Sequence, residues 1–299
     1  MIIPSIVCVI ILFSIFLTGL VSIIIIVSNR DCILHTLYGD CDITISPEFT
    51  YFNPSHLTNK YNRYISSGCL NFIGKIYNND INKLKYFNKE LSIYNDYDNK
   101  IPFVEIWKSS RYNNIFITMR GTSSNTYTEW FNNMKSSQIS NNDCQFEHKP
   151  SILKHKDVRI HKGFVNIYNM IWPVVLKYIN TIPNNYNICL TGHSIGGSLC
   201  TIMSYDIKDY FENVCVYSYG SPKIGNPEFC KQINNKVSNI FRVVNRDDSF
   251  TETPTSVYPN FKQPSKPFVY SHCGKEISFV ENTGTIEGNH CLTTYMKHY

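Results

Sequence analysis

Asn187-Ile-Cys-Leu-Thr-Gly-His-Ser194-Ile-Gly-Gly197 decides how this chain is read. The apolar run over residues 187–191 predicts a buried strand, and residues 195–210 predict a helix. Between them Gly192 and Gly196 bracket Ser194 in the pattern G-x-S-x-G. In that pattern the serine stands on a tight strand-to-helix turn, and the glycines let neighbouring backbones approach it closely. The turn lifts the hydroxyl above the end of a sheet. It also aims the N–H of Ile195, at the head of the helix, toward a developing oxyanion. A bare G-x-S-x-G also occurs in ordinary glycine-rich turns. The strand before it, the helix after it and the added Gly197 distinguish this one.

The alternation of strand and helix continues outward from this point. Residues 164–180 read as a helix, 214–219 as a strand, 227–234 as a short helix and 240–244 as a further strand. Strands joined by helices of this length predict an α/β fold with a mainly parallel central sheet flanked by helices. Upstream, Ile65, Leu70, Ile73 and Ile76 lie at helical spacing within residues 63–79, and residues 102–107 and 115–119 read as strands. Residues 268–270 and 277–280 predict a late hairpin or edge pair. No internal repeat or linker interrupts the chain after residue 30, so residues 30–299 are expected to form one catalytic domain.

A serine nucleophile needs a base, a carboxylate to orient that base, and a second oxyanion donor. The strand ending in Arg120-Gly121-Thr122 offers the donor, through the Thr122 N–H. Downstream of Ser194 the histidines are His272, His290 and His298. His298 lies beside the terminus, and a loop-borne His290, at the start of a short terminal helix, reaches across the sheet more easily than His272. Asp247 and Asp248 follow the strand over 240–244, at the carboxyl end where sites in parallel sheets gather. On pattern alone Glu252 and Glu281 stay open as well.

Taken together, several segments resemble the fungal-type class 3 lipases. They are Arg120-Gly121-Thr122, His161-Lys-Gly-Phe164, Thr191-Gly-His-Ser-Ile-Gly-Gly197, Tyr219-Gly-Ser-Pro-Lys-Ile-Gly-Asn226 and Phe241-Arg-Val-Val-Asn245, in that family's order over about residues 100–295. The resemblance implies an α/β-hydrolase fold and hydrolysis of carboxylic esters of lipids, most directly triacylglycerol, with phospholipase A1 or mono- and diacylglycerol lipase activity as the alternative. In that family the acid precedes a proline by six residues, so Pro254 selects Asp248. The family's histidine context resembles Asn289-His290-Cys-Leu-Thr-Thr-Tyr295, and residues 270–276 resemble a structural hairpin, which removes His272. The implied triad is Ser194, Asp248 and His290, with Thr122 and Ile195 forming the oxyanion hole. Ser249-Phe-Thr-Glu-Thr253 departs from the apolar, proline-containing stretch common at this place, which bears on the acyl pocket. The family also places a lid after the oxyanion loop. Tyr127, Trp130, Phe131 and Met134, at i, i+3, i+4 and i+7, would give such a lid helix one apolar face.

The remaining features set the context. A net charge of +5 on 299 residues is too mild for a nucleic-acid partner. The densest basic stretch, from His148 to Lys162, reads as a solvated loop in preference to a contact with anionic lipid. No organic cofactor or metal is required by the proposed chemistry, and no metal-ligand spacing is visible. The expected partner is a lipid ester at a membrane or lipid-droplet interface. From Ile2 to Asn29 there is no charged side chain, a run long enough to span a bilayer. Residues 1–29 are therefore expected to be a signal-anchor or transmembrane segment with the catalytic domain lumenal or extracellular, the alternative being secretion after signal cleavage. Of the 11 cysteines, Cys32, Cys41, Cys69, Cys144, Cys230, Cys273 and Cys291 are the candidates for disulfides in an oxidising compartment. No Asn-x-Ser/Thr glycosylation site is usable, because Asn53-Pro54-Ser55 is excluded by its proline. A non-catalytic, membrane-tethered lipid-binding protein on the same fold is the reading of another class, which the complete Ser194, Asp248 and His290 set disfavours.

Overall fold

The computed structural model describes residues 60–79, 84, 86–94, 101–121 and 137–299. In chain order the strands are β1 (Phe87–Ile93), β2 (Val104–Ser109), β3 (Asn114–Met119), β4 (Gln138–Ile139), β5 (Ile160–His161), β6 (Asn187–His193), β7 (Asn213–Tyr219), β8 (Ile240–Asn245), β9 (Val257–Tyr258), β10 (Phe268–Val269) and β11 (Lys275–Phe279). The helices are α1 (Arg63–Tyr77), α2 (Lys162–Ile179), α3 (Ile195–Ile207), α4 (Pro227–Lys236), α5 (Ile286–His290) and α6 (Leu292–Lys297).

A seven-stranded sheet in the order β1-β2-β3-β6-β7-β8-β11 carries the fold. From β3 to β11 the neighbours run parallel, and β1 and β2 extend the sheet antiparallel. The sheet is therefore mixed. Its parallel half is covered by helices on both faces, which is the α/β-hydrolase arrangement.

The period-2 alternation of side chains along each strand divides the core in two. Ile115, Ile117, Ile188, Leu190, Val214 and Val216 point to the face that packs with α2 and α3. Phe116, Cys189, Cys215, Tyr217, Phe241 and Val243 point to the opposite face, where Ile65, Cys69, Leu70, Phe72 and Ile73 of α1 cover them. Every residue of α3 is buried. Its polar side chains are buried with partners, Ser198, Thr201 and Ser204 donating to backbone carbonyls and Asp206 accepting the Tyr168 hydroxyl, and the helix carries the serine turn at its amino end.

The structure corrects four expectations. The first is the membrane-spanning helix, and with it the single-pass topology. Residues 1–29, on which it rested, lie outside the described residues, and among the described residues no helix is long and apolar enough to cross a membrane. The longest, α2, has 18 residues, begins at Lys162, and buries one face only. The second is the disulfide framework. Cys69, Cys144, Cys230 and Cys273 are free and buried, as are Cys189, Cys200 and Cys215, so no disulfide joins two described residues, and of the described candidates Cys291 alone is disulfide-bonded. These thiols serve as small apolar groups in the core. The third is the late hairpin. Phe268 and Val269 pair antiparallel with Val257 and Tyr258, whereas β11 adds in parallel to β8 as the sheet's edge. The fourth is the setting of His290, which closes the five-residue α5 instead of opening the terminal helix.

His161 shows how one segment holds its helix in place. At the N-cap of α2 its Nδ1 accepts the Gly163 N–H at 3.0 Å, which requires an unprotonated nitrogen. Burial pushes this imidazole down from 6.5 to about 4. The unfolded chain therefore binds the proton near pH 6.5, while the folded chain resists it until about pH 4. The stability it contributes is complete above the unfolded value and is lost as pH falls through that window. Calorimetric Tm values taken from about pH 7 down to about pH 4.5 should fall less steeply in His161→Asn, whose side chain caps without titrating. Equal slopes in the two proteins would contradict this account.

Candidate active site

Ser194 takes φ 57° and ψ −128°, a conformation that L-residues rarely adopt. Such backbone costs about 1–3 kcal/mol and persists only where its surroundings over-determine it. Here the Ser194 N–H donates to the Tyr219 carbonyl at 2.8 Å, and the Ser194 carbonyl accepts from Gly197 and Ser198 at 3.0 and 3.3 Å. The turn also needs backbone to lie against backbone. A Cβ on Gly196 would stand 2.5 Å from the Arg120 carbonyl oxygen, and one on Gly192 would stand 2.5 Å from the Gly196 carbonyl carbon. No side chain fits either place.

Three side chains from three elements meet at this turn. The Ser194 hydroxyl lies 3.0 Å from His290 Nε2, and His290 Nδ1 lies 2.7 Å from Asp248 Oδ2. All three are buried, Ser194 at 4 % and Asp248 at 1 % exposure. Asp248 Oδ2 also accepts the Tyr295 hydroxyl at 2.6 Å, and Oδ1 accepts the Phe250 N–H at 3.0 Å as it caps the 3-10 turn Ser249–Glu252. A carboxylate surrounded by donors is an acceptor. The His290 proton therefore belongs on Nδ1, which leaves Nε2 free to accept from Ser194. Phe250 lays its ring 4.5 Å from that of His290.

The other candidates are engaged elsewhere. Asp247 donates its N–H to Asn245 Oδ1, and its carbonyl accepts from the Asn289 side chain. Glu252 pairs at 2.6 Å with Lys223, which lowers its pKa first of all through that hydrogen bond. His272 stands 3.9 Å from Glu252, and its imidazole is pushed down to about 3, chiefly by burial. His298 lies 3.4 Å from Glu281.

Residues that the reading of single positions passed over hold the meeting point together. Asn245, fully buried at the end of β8, donates to the carbonyls of Glu281 and Asn289 and accepts the Glu281 N–H. It thus ties the strand that delivers Asp248 to the segment that delivers His290. Asn289 answers by donating to Asp247 and accepting from Thr283. Tyr295 spans from Asp248 to the Asn245 N–H. Asn245, Asn289 and Tyr295 all stand inside segments quoted for their resemblance, so the signal was present without the role.

Ile195 is the first residue of α3, where a helix has no intrahelical acceptor for its N–H. Thr122 and the lid candidates Tyr127, Trp130, Phe131 and Met134 lie outside the described residues. The loop approaching Thr122 is nonetheless clamped. Arg120, 1 % exposed, donates to the carbonyls of Pro102, Gly121 and Ile101 at 2.8, 2.8 and 3.2 Å.

Comparison with known proteins agrees with this geometry. The family profile described as Lipase (class 3) matches residues 116–258. Among curated relatives, the chloroplastic phospholipase A(1) DAD1 of Arabidopsis thaliana is 28 % identical over 195 residues, covering 54 % of this chain and 42 % of that protein. A lipase of Rhizomucor miehei is 25 % identical over 201 residues, covering 64 % and 52 %. This chain spans less than half the length of the first plant relatives it matches. Among solved structures, a lipase of Rhizopus microsporus var. chinensis superposes with a TM-score of 0.54 at 19 % identity, over 86 % of this chain and 87 % of that one. The serine turn, Asp248 after β8 and His290 at the end of α5 stand on a fold shared with that lipase, and residues 116–258 match the class 3 lipase family.

Proposed function

We propose that this chain is a serine hydrolase that cleaves an acyl ester of a glycerolipid, with Ser194 as nucleophile, His290 as general base and acid, and Asp248 as the group that orients and stabilises the imidazolium. The observation carrying the proposal is the buried hydrogen-bonded series from Ser194 through His290 to Asp248. His290 Nε2 takes the hydroxyl proton as Ser194 Oγ bonds to the ester carbonyl carbon. The carbonyl oxygen becomes an oxyanion that accepts from the N–H groups of Ile195 and Thr122, each donor supplying about 2.7–4 kcal/mol. Collapse breaks the bond to the alcohol oxygen, which leaves with the proton held on His290. Water then attacks the acyl-serine with the same base, releasing the fatty acid and restoring Ser194.

For the substrate class we propose a phospholipase A1 reading, in which the ester cut is the sn-1 acyl ester of a diacyl glycerophospholipid presented at a lipid–water interface. It is supported by the plant relatives named phospholipase A1 that head the sequence matches. Triacylglycerol is the second reading, favoured by the fungal lipase of Rhizomucor miehei.

A panel of phosphatidylcholine labelled at sn-1 or sn-2, with di- and triacylglycerol alongside, separates these readings. The expected outcome is release of the sn-1 label by wild type and none by Ser194→Ala. Turnover of triacylglycerol alone would select the second reading, and no turnover of any ester would remove the hydrolase proposal. Rates above and below the solubility limit of a short-chain substrate test the interface, and a flat profile would contradict it. The two aspartates are separated by paired variants. Asp248→Asn should lower kcat by about 10⁴-fold, while Asp247→Asn, whose side chain lies outside the series, should stay within about threefold of wild type. A reversed ranking would reassign the acid.

A further inference from the structure

Tyr77, the last residue of α1, places its hydroxyl between two parts of this site. The oxygen accepts the Gly121 N–H at 2.8 Å and stands 3.0 Å from His193 Nδ1. A phenol has one proton to donate. His193 Nε2 lies 2.8 Å from the His290 carbonyl oxygen, a group that can only accept, so a neutral His193 carries its proton on Nε2 and its Nδ1 accepts the Tyr77 proton. Every donor direction is thereby fixed, from the Gly121 N–H to Tyr77, from Tyr77 to His193, and from His193 to the backbone of His290. Burial first, and the neighbouring His290 second, hold His193 well below the ordinary imidazole range, so the ring is neutral as this pattern requires.

Both ends of the series adjoin reacting groups. Gly121 immediately precedes Thr122, and its carbonyl is held by Arg120 at 2.8 Å. The far end is the peptide of the residue whose ring faces Ser194. The variable position of the G-x-S-x-G pattern, occupied by His193, therefore links the oxyanion loop to the base.

We propose that Tyr77 and His193 are positioning residues that set the distance between the oxyanion donor loop and the His290 imidazole. The inference rests on the roles given above to Ser194, His290 and Thr122. In the alternative, the two side chains merely satisfy each other inside the core and affect stability alone.

The test uses Tyr77→Phe, His193→Phe and His193→Gln. Active sites are titrated with a fluorophosphonate, kcat and KM are measured on p-nitrophenyl butyrate, and an alkylboronic acid serves as the transition-state analogue. Tyr77→Phe and His193→Phe should lower kcat per titrated site by about tenfold or more, with KM within about twofold. Affinity for the boronic acid should weaken in proportion to the fall in kcat. His193→Gln keeps a donor for the His290 carbonyl and should recover part of the loss seen in His193→Phe. Unchanged kcat per titrated site in both phenylalanine variants, with only Tm lowered, would overturn the proposal. Wild type that fails to label at all would overturn the reading of Ser194 and this inference with it, an outcome distinct from labelled enzyme with insensitive variants.

Discussion

A serine held at positive φ cannot stay there on its own account, and everything around Ser194 is arranged to prevent its relaxation. The turn bonds to the Tyr219 carbonyl on one side and to its own helix on the other. The closeness of Gly196 to the backbone of Arg120 sets α3 against the end of β3. The carboxyl ends of β3, β6, β7 and β8 thus become one surface, with the serine at its centre. The strained turn is what directs the hydroxyl at His290 Nε2, and the burial of α3 on every side is what keeps the strain in place.

Asp248 and His290 arrive from the other direction, and their supports are polar. β8 ends at Asn245, which bonds to both Glu281 and Asn289, so the turn bearing Asp248 and the helix bearing His290 share one anchor. Lys223, buried on the loop after β7, pairs with Glu252 and donates its backbone N–H to Thr253. The acid turn is thereby pinned at both of its ends. A carboxylate that accepts from His290, Tyr295 and Phe250 together has little freedom to turn away.

The parts legible in the sequence were those written in local pattern. The strand, serine turn and helix over residues 187–207 declare themselves, because strand period, glycine placement and helix period change within a few residues of one another. Pairings across long separations left no such mark. The partner of Phe268 is Tyr258, whereas β11 joins β8 in parallel, and neither choice follows from the composition of those short runs. Asp247 and Asp248 are adjacent and chemically alike. The 3-10 turn that follows decides which of them faces His290, and only the spacing to Pro254 hinted at that geometry. Tyr77 is separated from His193 by 116 positions, and its part in the site is visible only once α1 is laid across the sheet. The apolar N-terminal run was plain as composition, yet among the described residues the apolar surface lies in the two cores of the sheet and not in a membrane-spanning helix.

The central claim is that the strained turn makes Ser194 the reactive nucleophile, driven by His290. Mass spectrometry of tryptic peptides after treatment with a fluorophosphonate tests it most directly. The account predicts a single phosphonyl adduct on Ser194, absent in Ser194→Ala and formed far more slowly in His290→Ala. An adduct on another residue, or labelling of Ser194 at the same rate in His290→Ala, would contradict it.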